Sequence, residues 1–205
     1  MVAYELLLAT NNPGKISEYR TLLEGLPLVL TTPAQEGLGS TPEETGATFE
    51  ENALLKARYY ADASGILALA DDSGLVVDAL NGEPGIHSAR YAGEDATDSE
   101  RVRFLLANLE GIPWHRRIAR FRCVVALVWP GGAEETFHGG REGYITLEPR
   151  GLNGFGYDPV FYVPELDKTF GELEPEVKNR CSHRAEAARK AAHRLRREVE
   201  GGPAS

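Results

Sequence analysis

The sequence predicts an α/β fold, a mixed central sheet flanked by helices and arranged as two lobes around a cleft. Three observations carry this. Short apolar runs alternate with stretches of helical periodicity from the start of the chain. The runs at 5–9 and 66–70 are almost continuously apolar, as in strands buried on both faces. A later run, 119–129, alternates instead and meets a Pro-Gly-Gly turn, the pattern of an antiparallel hairpin.

Taken in order, residues 5–9 open the sheet. The polar segment Thr10-Asn11-Asn12-Pro13-Gly14-Lys15 leads into a helix in which Ile16, Tyr19, Leu22 and Leu23 recur at helical spacing, and Pro13 suits its first turn. Residues 26–31 read as a second strand, followed by a loop rich in Gly, Pro, Ser and Thr as far as about Ala47. Thr48-Phe49-Glu50-Glu51 has the spacing of a capping box. Phe49, Ala53, Leu54, Ala57 and Tyr60 then mark a helix that Gly65 stops. The strand at 66–70 delivers Asp71-Asp72-Ser73-Gly74 at its carboxyl end, the edge where open α/β sheets place ligands. Residues 75–80 with Asn81-Gly82 read as strand and turn, and Thr97-Asp98-Ser99-Glu100 caps a helix ending near Gly111. At 119–129 the odd positions are apolar while Arg120 and Arg122 face the other way, so this strand is expected to be half-buried, with a partner at 135–139. A Gly-rich stretch at 151–156 and a basic helix from about 182 to 199 close the chain. No repeat or linker divides it: 1–200 reads as a single domain and 201–205 as a flexible tail.

The chain's 205 residues carry 22 Lys plus Arg and 31 Asp plus Glu, a net charge of −9, which opposes a general nucleic-acid partner. Residues 1–100 hold 5 basic and 17 acidic side chains, net −12, whereas 101–205 hold 17 and 14, net +3. No apolar run approaches the roughly 20 residues of a membrane span, and no signal-type segment begins the chain. Cys123 falls in the apolar strand pattern, where a buried thiol is expected, and the cysteines and histidines lack zinc spacing. A reducing, cytoplasmic location fits.

Strand, polar loop, Gly-Lys, helix is the layout of a phosphate site, but Ala9 and Ile16 stand where a Walker A loop needs Gly and Ser or Thr. A plain turn with a capping Asn is the equal alternative. Asp71 and Asp72 offer carboxylates able to hold a divalent ion or orient water, against the commoner alternative of an Asx turn with Gly74 at positive φ. Glu43, Glu44, Glu50 and Glu51 face a helix dipole favourably, yet with Asp71 and Asp72 they make a carboxylate cluster that a divalent cation would relieve. Gly154-Phe155-Gly156-Tyr157-Asp158 could stack a base on Phe155 and accept its N–H on Asp158; a two-glycine hairpin with a core Phe is the alternative. Lys178, His183 and Arg184 lie near the start of the basic helix, better placed than 189–197 to meet an anion or a carbonyl oxygen.

Together, Ala9-Thr10-Asn11-Asn12-Pro13-Gly14-Lys15, Thr45-Gly46-Ala47-Thr48-Phe49-Glu50-Glu51-Asn52, Ala70-Asp71-Asp72-Ser73-Gly74-Leu75, Pro84-Gly85-Ile86-His87-Ser88-Ala89-Arg90, Gly154-Phe155-Gly156-Tyr157-Asp158-Pro159 and Ser182-His183-Arg184 closely resemble the inosine/xanthosine triphosphate pyrophosphatase family. The resemblance runs from about residue 6 to 195. It implies a homodimeric, Mg²⁺-dependent α/β enzyme of nucleotide metabolism with a nucleotide cleft, hydrolysing ITP, dITP and XTP to the monophosphate and pyrophosphate. On the same resemblance Thr10, Asn11, Asn12, Pro13, Gly14 and Lys15 would cradle the triphosphate. Asp72 would be proton acceptor and metal ligand, with Glu43 the second metal carboxylate; Glu44 and Asp71 stay open as further metal contacts. Ser73 would touch the substrate, and Phe155, Gly156, Tyr157, Asp158, Lys178, His183 and Arg184 would hold base, ribose and phosphate. Maf-like pyrophosphatases are the competing family, and the Phe155–Asp158 and Ser182–Arg184 motifs argue against them.

Overall fold

The structure, a computed structural model, describes residues 4–40 and 42–201. Seven strands form one sheet in the order β2-β1-β3-β4-β5-β6-β7. They are β1 (Tyr4–Leu8), β2 (Leu28–Thr31), β3 (Leu67–Val77), β4 (Ile118–Val128), β5 (Glu134–Ile145), β6 (Phe161–Val163) and β7 (Lys168–Thr169). The helices are α1 (Pro13–Leu22), α2 (Phe49–Ser64), α3 (Asp98–Asn108), α4 (Pro175–Cys181) and α5 (His183–Gly201). Strand β1 pairs in parallel with β2 and β3, while β6 is antiparallel to β5 and β7, so the sheet is mixed, as the sequence predicts. Apart from Gly201, which ends α5, the expected tail lies outside the described residues.

The chain folds into two compact units. The first takes in the described residues of Met1–Asp72, Cys123–Gly139 and Arg184–Ser205. Here the sheet is covered on both faces. Leu6, Leu8, Leu67, Leu69, Cys123 and Val125 pack on one side with Tyr19 of α1 and Ala187, Ala188, Ala191 and Leu195 of α5. Leu7, Ala68, Ala70, Val124, Ala126 and Val128 pack on the other with Ala53, Ala57 and Tyr60 of α2. β4 is therefore half-buried only as far as Arg122; from Cys123 onward every residue is buried, because Val124, Ala126 and Val128 also meet α2. The basic helix α5 presents a stripe of small apolar residues inward, and its alanines let it lie close to the sheet.

The second unit, Ser73–Arg122 and Gly140–His183, has its own core, in which Val102, Leu105 and Leu109 of α3 pack with Leu75, Phe121, Phe161 and Phe170. Phe121 lies 4.6 Å from Phe161 and stacks on His183 at 4.4 Å, ring centre to ring centre. β6, β7 and α4 are absent from the sequence reading, being too short to show a period.

Both helix-start signals in the loops operate. Thr97 Oγ1 accepts from the Glu100 N–H and the Glu100 carboxylate accepts from the Thr97 N–H, a complete capping box. At α2, Thr48 caps Glu51 in the same way, but the Glu51 carboxylate takes the Ala47 N–H, one residue upstream. Gly65, at φ 68°, ends α2 in the left-handed conformation a stop there needs. The Thr97 box sets an expectation for stability: Thr97→Ala removes the side-chain acceptor for the Glu100 N–H, keeps the backbone N–H that Glu100 accepts, and lowers stability by about 1 kcal/mol, read from the urea midpoint at unchanged slope.

Candidate active site

At the end of β1 the chain turns once and enters α1. Asn12 is the N-cap, its side-chain oxygen accepting the Lys15 N–H at 3.0 Å, and Pro13 follows at the first helical position. Thr10 Oγ1 accepts the Asn12 N–H at 3.2 Å. The capping Asn weighed against a phosphate site is thus present, and the cap leaves Asn11, Asn12 and Pro13 exposed at the positive end of the α1 dipole. Lys15 extends from this loop with its ammonium 3.0 Å from Asp71 Oδ1.

Asp71 and Asp72 are interior residues of β3, with no Asx turn and no positive φ at Gly74. Successive side chains of a strand point to opposite faces, so the two carboxylates part company. Asp71 lies on the α1/α5 side, where Arg184 donates from Nε and Nη2 to Asp71 Oδ2 at 3.2 and 3.1 Å and from Nη1 to Glu18 Oε2 at 2.6 Å. Burial alone would push the Asp71 carboxyl up; the Lys15 and Arg184 cations outweigh it and hold it well below the usual range. Arg184, 2% exposed, is likewise penalised by burial but kept firmly charged by Asp71 and Glu18. Cys123 lies beside them as the buried thiol the strand pattern predicts, pushed up by burial and by Asp71.

Asp72 lies on the α2 side. Asn52 Nδ2 donates to its Oδ2 at 3.2 Å, and the Lys56 ammonium stands 3.4 Å from Oδ1 and 2.6 Å from Glu44 Oε1. Burial and the Glu44 charge raise the Asp72 carboxyl above its ordinary value against the opposing pull of Lys56. Lys56 itself, penalised by burial, is raised by Asp72 and Glu44. One ammonium thus serves two carboxylates, with Glu43 exposed on the adjoining loop. A surplus of hard oxygen donors fits a divalent cation. Among the described residues no three His, Cys, Asp or Glu side chains gather as a metal cage. Asp71, on the opposite face and engaged by two cations, does not join Asp72 in such a set.

In the second unit, Asp158 Oδ2 accepts the Phe155 N–H at 2.8 Å and lies 2.5 Å from the Lys178 ammonium, which sits 4.6 Å above the Phe155 ring. The Gly156 N–H donates to Asp98 at 2.7 Å, and the Tyr157 hydroxyl donates to the Ser88 carbonyl at 2.9 Å. Gly154 is required at its position, since a Cβ there would meet Asp158 Oδ2 at 2.0 Å. The core aromatic of this segment is Tyr157, not Phe155, which is half-buried. Ser73 is half-buried on β3, and His183 is buried against Phe121.

Glu18 and Lys56 escape the sequence reading, and Asn52 enters it only as the end of a motif, with no role. Asn52 and Lys56 carry a readable signal, because they fall with Phe49, Ala53, Ala57 and Tyr60 on the inward stripe of α2, where a polar residue needs a partner.

A family model described as the Ham1 family matches residues 6–194. A dITP/XTP pyrophosphatase of Bacillus licheniformis is 50% identical over 188 residues, 91% of this chain and 95% of that protein. One from Thermus thermophilus is 52% identical over 90% of this chain and 88% of its own. Among solved structures, a Ham1 protein from Coxiella burnetii superposes with a TM-score of 0.86 at 45% identity, covering 94% of this chain and 98% of its own. The Staphylococcus aureus Ham1 protein gives 0.83 at 42%, covering 93% and 97%.

Removing Arg184 takes from Asp71 and Glu18 the buried guanidinium that both share, leaving Asp71 with Lys15. Arg184→Ala is therefore expected to cost about 3–5 kcal/mol in urea unfolding. A carboxyl whose folded pKa lies below its unfolded value, about 3.9 for Asp, stabilises fully above that value and loses its contribution as pH falls through the folded one. With Arg184 gone the folded pKa of Asp71 rises, so acid unfolding of the variant should begin at higher pH than that of the parent.

Proposed function

The chain belongs to the Ham1 family, and we infer from that premise that it hydrolyses dITP, ITP and XTP to the monophosphate and pyrophosphate. It is a nucleoside triphosphate pyrophosphatase, and its substrates are the deaminated purine nucleotides. The observation that carries the site assignment is Asp72: a buried carboxylate with raised proton affinity, sharing one ammonium with Glu44, in a chain about half identical to named dITP/XTP pyrophosphatases.

The residues divide the work as follows. Residues Thr10 to Lys15 receive the triphosphate at the start of α1, where the helix dipole and the Lys15 charge favour anions. Lys15 keeps a defined direction because Asp71, itself fixed by Arg184, holds its ammonium. Asp72 takes the proton of the water whose oxygen attacks the α-phosphorus; the bond from that phosphorus to the α–β bridging oxygen breaks, and pyrophosphate departs. Its raised pKa, caused first by burial, makes it a better proton acceptor than an exposed aspartate. A divalent ion, which we take to be Mg²⁺, supplies charge neutralisation on the phosphates when bound. Asp72 and Glu43 are the oxygens we assign to it, since Glu44 is already committed to Lys56 at 2.6 Å.

Phe155 to Asp158, with Ser73, Lys178 and His183, are assigned to base and ribose. A hydrogen-bond donor facing C6 pairs with the oxo group of inosine or xanthosine and is left unpaired by adenine, so ATP is rejected. The N–H groups of Phe155 and Gly156 already donate to Asp158 and Asp98. Arg184 commits three of its five N–H groups to Asp71 and Glu18.

We take 1–200 as one catalytic domain, acting as a homodimer in the cytoplasm on free nucleotides. The net charge of −9 supports a nucleotide over a nucleic acid, and two free cysteines suit a reducing compartment. Among the described residues no helix is long and apolar enough to cross a membrane.

Pyrophosphate release from dITP, ITP and XTP is expected to exceed that from ATP and GTP, and to stop when the divalent ion is chelated. Asp72→Asn should lower kcat by about 10²–10⁴-fold, the scale of a lost general base. Equal turnover of ATP, or an undiminished Asp72→Asn enzyme, would overturn the assignment.

A further inference from the structure

We propose that Asn52 is a positioning residue that locks the Asp72 carboxylate and the loop carrying Glu43 and Glu44 into one rigid arrangement; the proposal rests on the role of Asp72 argued above. Asn52 is fully buried on the inward face of α2. Its Oδ1 accepts the Gly46 N–H at 2.8 Å while its Nδ2 donates to Asp72 Oδ2 at 3.2 Å. The orientation of the amide is fixed by its partners, because a backbone N–H can only donate and an ionised carboxylate can only accept.

Two inward positions of one helix therefore hold both oxygens of Asp72: Asn52 takes Oδ2, and Lys56, one turn on, takes Oδ1. The same helix holds the loop. Gly46 is bound by Asn52, the Ala47 N–H by the Glu51 carboxylate at 2.6 Å, and Glu44 by Lys56. Loop and carboxylate share α2 as their common frame, with Asn52 the one side chain of that frame bonded to both the Gly46 backbone and Asp72. Gly46 fits this reading through space, not backbone conformation. A Cβ there would lie 2.6 Å from Asn52 Oδ1 and 2.7 Å from Glu51 Cβ, so glycine is what lets the loop approach the amide.

A buried amide costs stability unless both ends are bonded, and a leucine of similar size would suit this apolar stripe. The polar choice is explained by what the amide holds.

The test compares Asn52→Leu, Asn52→Asp, Gly46→Ala and Asp72→Asn with the parent enzyme. Three quantities are read: kcat and KM for dITP with Mg²⁺, and hydrogen exchange of the 43–48 backbone with no metal or nucleotide present. Asn52→Leu should lower kcat by about 100-fold, as a misplaced catalytic group does, with KM changed by less than about threefold. Its 43–48 amides should exchange about tenfold faster or more. Asn52→Asp keeps an acceptor for Gly46 and so keeps slow exchange, but it sets a carboxylate against Asp72 and loses kcat. Gly46→Ala should speed exchange and lower kcat through the loop arm, and it decides the matter should Asn52→Leu not fold.

Parent-like kcat and exchange in Asn52→Leu or Gly46→Ala would overturn the proposal, as would a loss confined to KM. An inactive Asp72→Asn beside an unaffected Asn52→Leu sinks this inference alone, whereas an active Asp72→Asn sinks the reading of Asp72 on which it rests.

Discussion

The alternation of β3 at Asp71 and Asp72 is the constraint on which the rest of the first unit depends. Two adjacent carboxylates in a turn would share one solvent-facing environment and repel each other. In an extended strand they project through opposite faces of the sheet, and each acquires the chemistry of the helices packed there. Asp71 meets α1 and α5, which bring Lys15 and Arg184; Asp72 meets α2, which brings Asn52 and Lys56. Neighbours in sequence are thereby given opposite shifts, one held well below the ordinary aspartate pKa and the other raised above it. Separating two like groups by environment lets one strand carry a fixed anion and, in the proposed function, a proton acceptor at the same pH.

The two faces also differ in how completely charge is compensated. On the Asp71 side, two carboxylates, Asp71 and Glu18, meet two cations, Lys15 and Arg184, and the set is balanced, with Lys15 its one half-buried member. Such a set gives geometry more than net stability, since desolvation consumes much of the attraction. Its consequence is that Lys15 leaves the start of α1 in one direction. On the Asp72 side, Lys56 contacts both Asp72 and Glu44, with Glu43 exposed nearby in sequence. The proposed metal site and proton acceptor lie on the second face, where carboxylates gather around Lys56.

What could be read from the sequence follows the range over which each signal acts. Asn12 with Pro13 at the start of α1, Thr48 and Gly65 bounding α2, and Thr97 with Glu100 are local devices, and each operates where the spacing places it. The continuation of β3 through Asp71 and Asp72 is different. By composition Asp-Asp-Ser-Gly is turn-like, and only partners distant in the chain, Arg184 above all, make two buried aspartates tolerable in a strand. The family resemblance singles out Arg184 as a substrate contact, whereas its engagement with Asp71 and Glu18 is not readable from the sequence, because nothing local relates α5 to α1. Asn52 and Lys56 lie between these cases. Their place on an apolar stripe is visible in the sequence, whereas the partners they need there are not.

The same long-range packing changes the meaning of the charge distribution. Along the chain, residues 1–100 carry −12 and 101–205 carry +3, which suggests an acidic metal-binding half and a mildly basic nucleotide-binding half. In the fold, α5 returns to the N-terminal strands, and Arg184 and Arg194 meet Glu18 and Glu135. The first unit then holds 10 basic and 16 acidic side chains, net −6, and the second 12 and 15, net −3. Neither unit is basic, so attraction of a polyanion by overall field cannot be the basis of binding. In the proposed function, affinity for a triphosphate therefore rests on groups fixed at short range: the capped start of α1, Lys15 held on Asp71, and the divalent ion assigned to Asp72 and Glu43. A site built this way favours a small phosphate ester carrying its own metal over an extended nucleic acid, whose many phosphates would meet the uncompensated negative surface of both units.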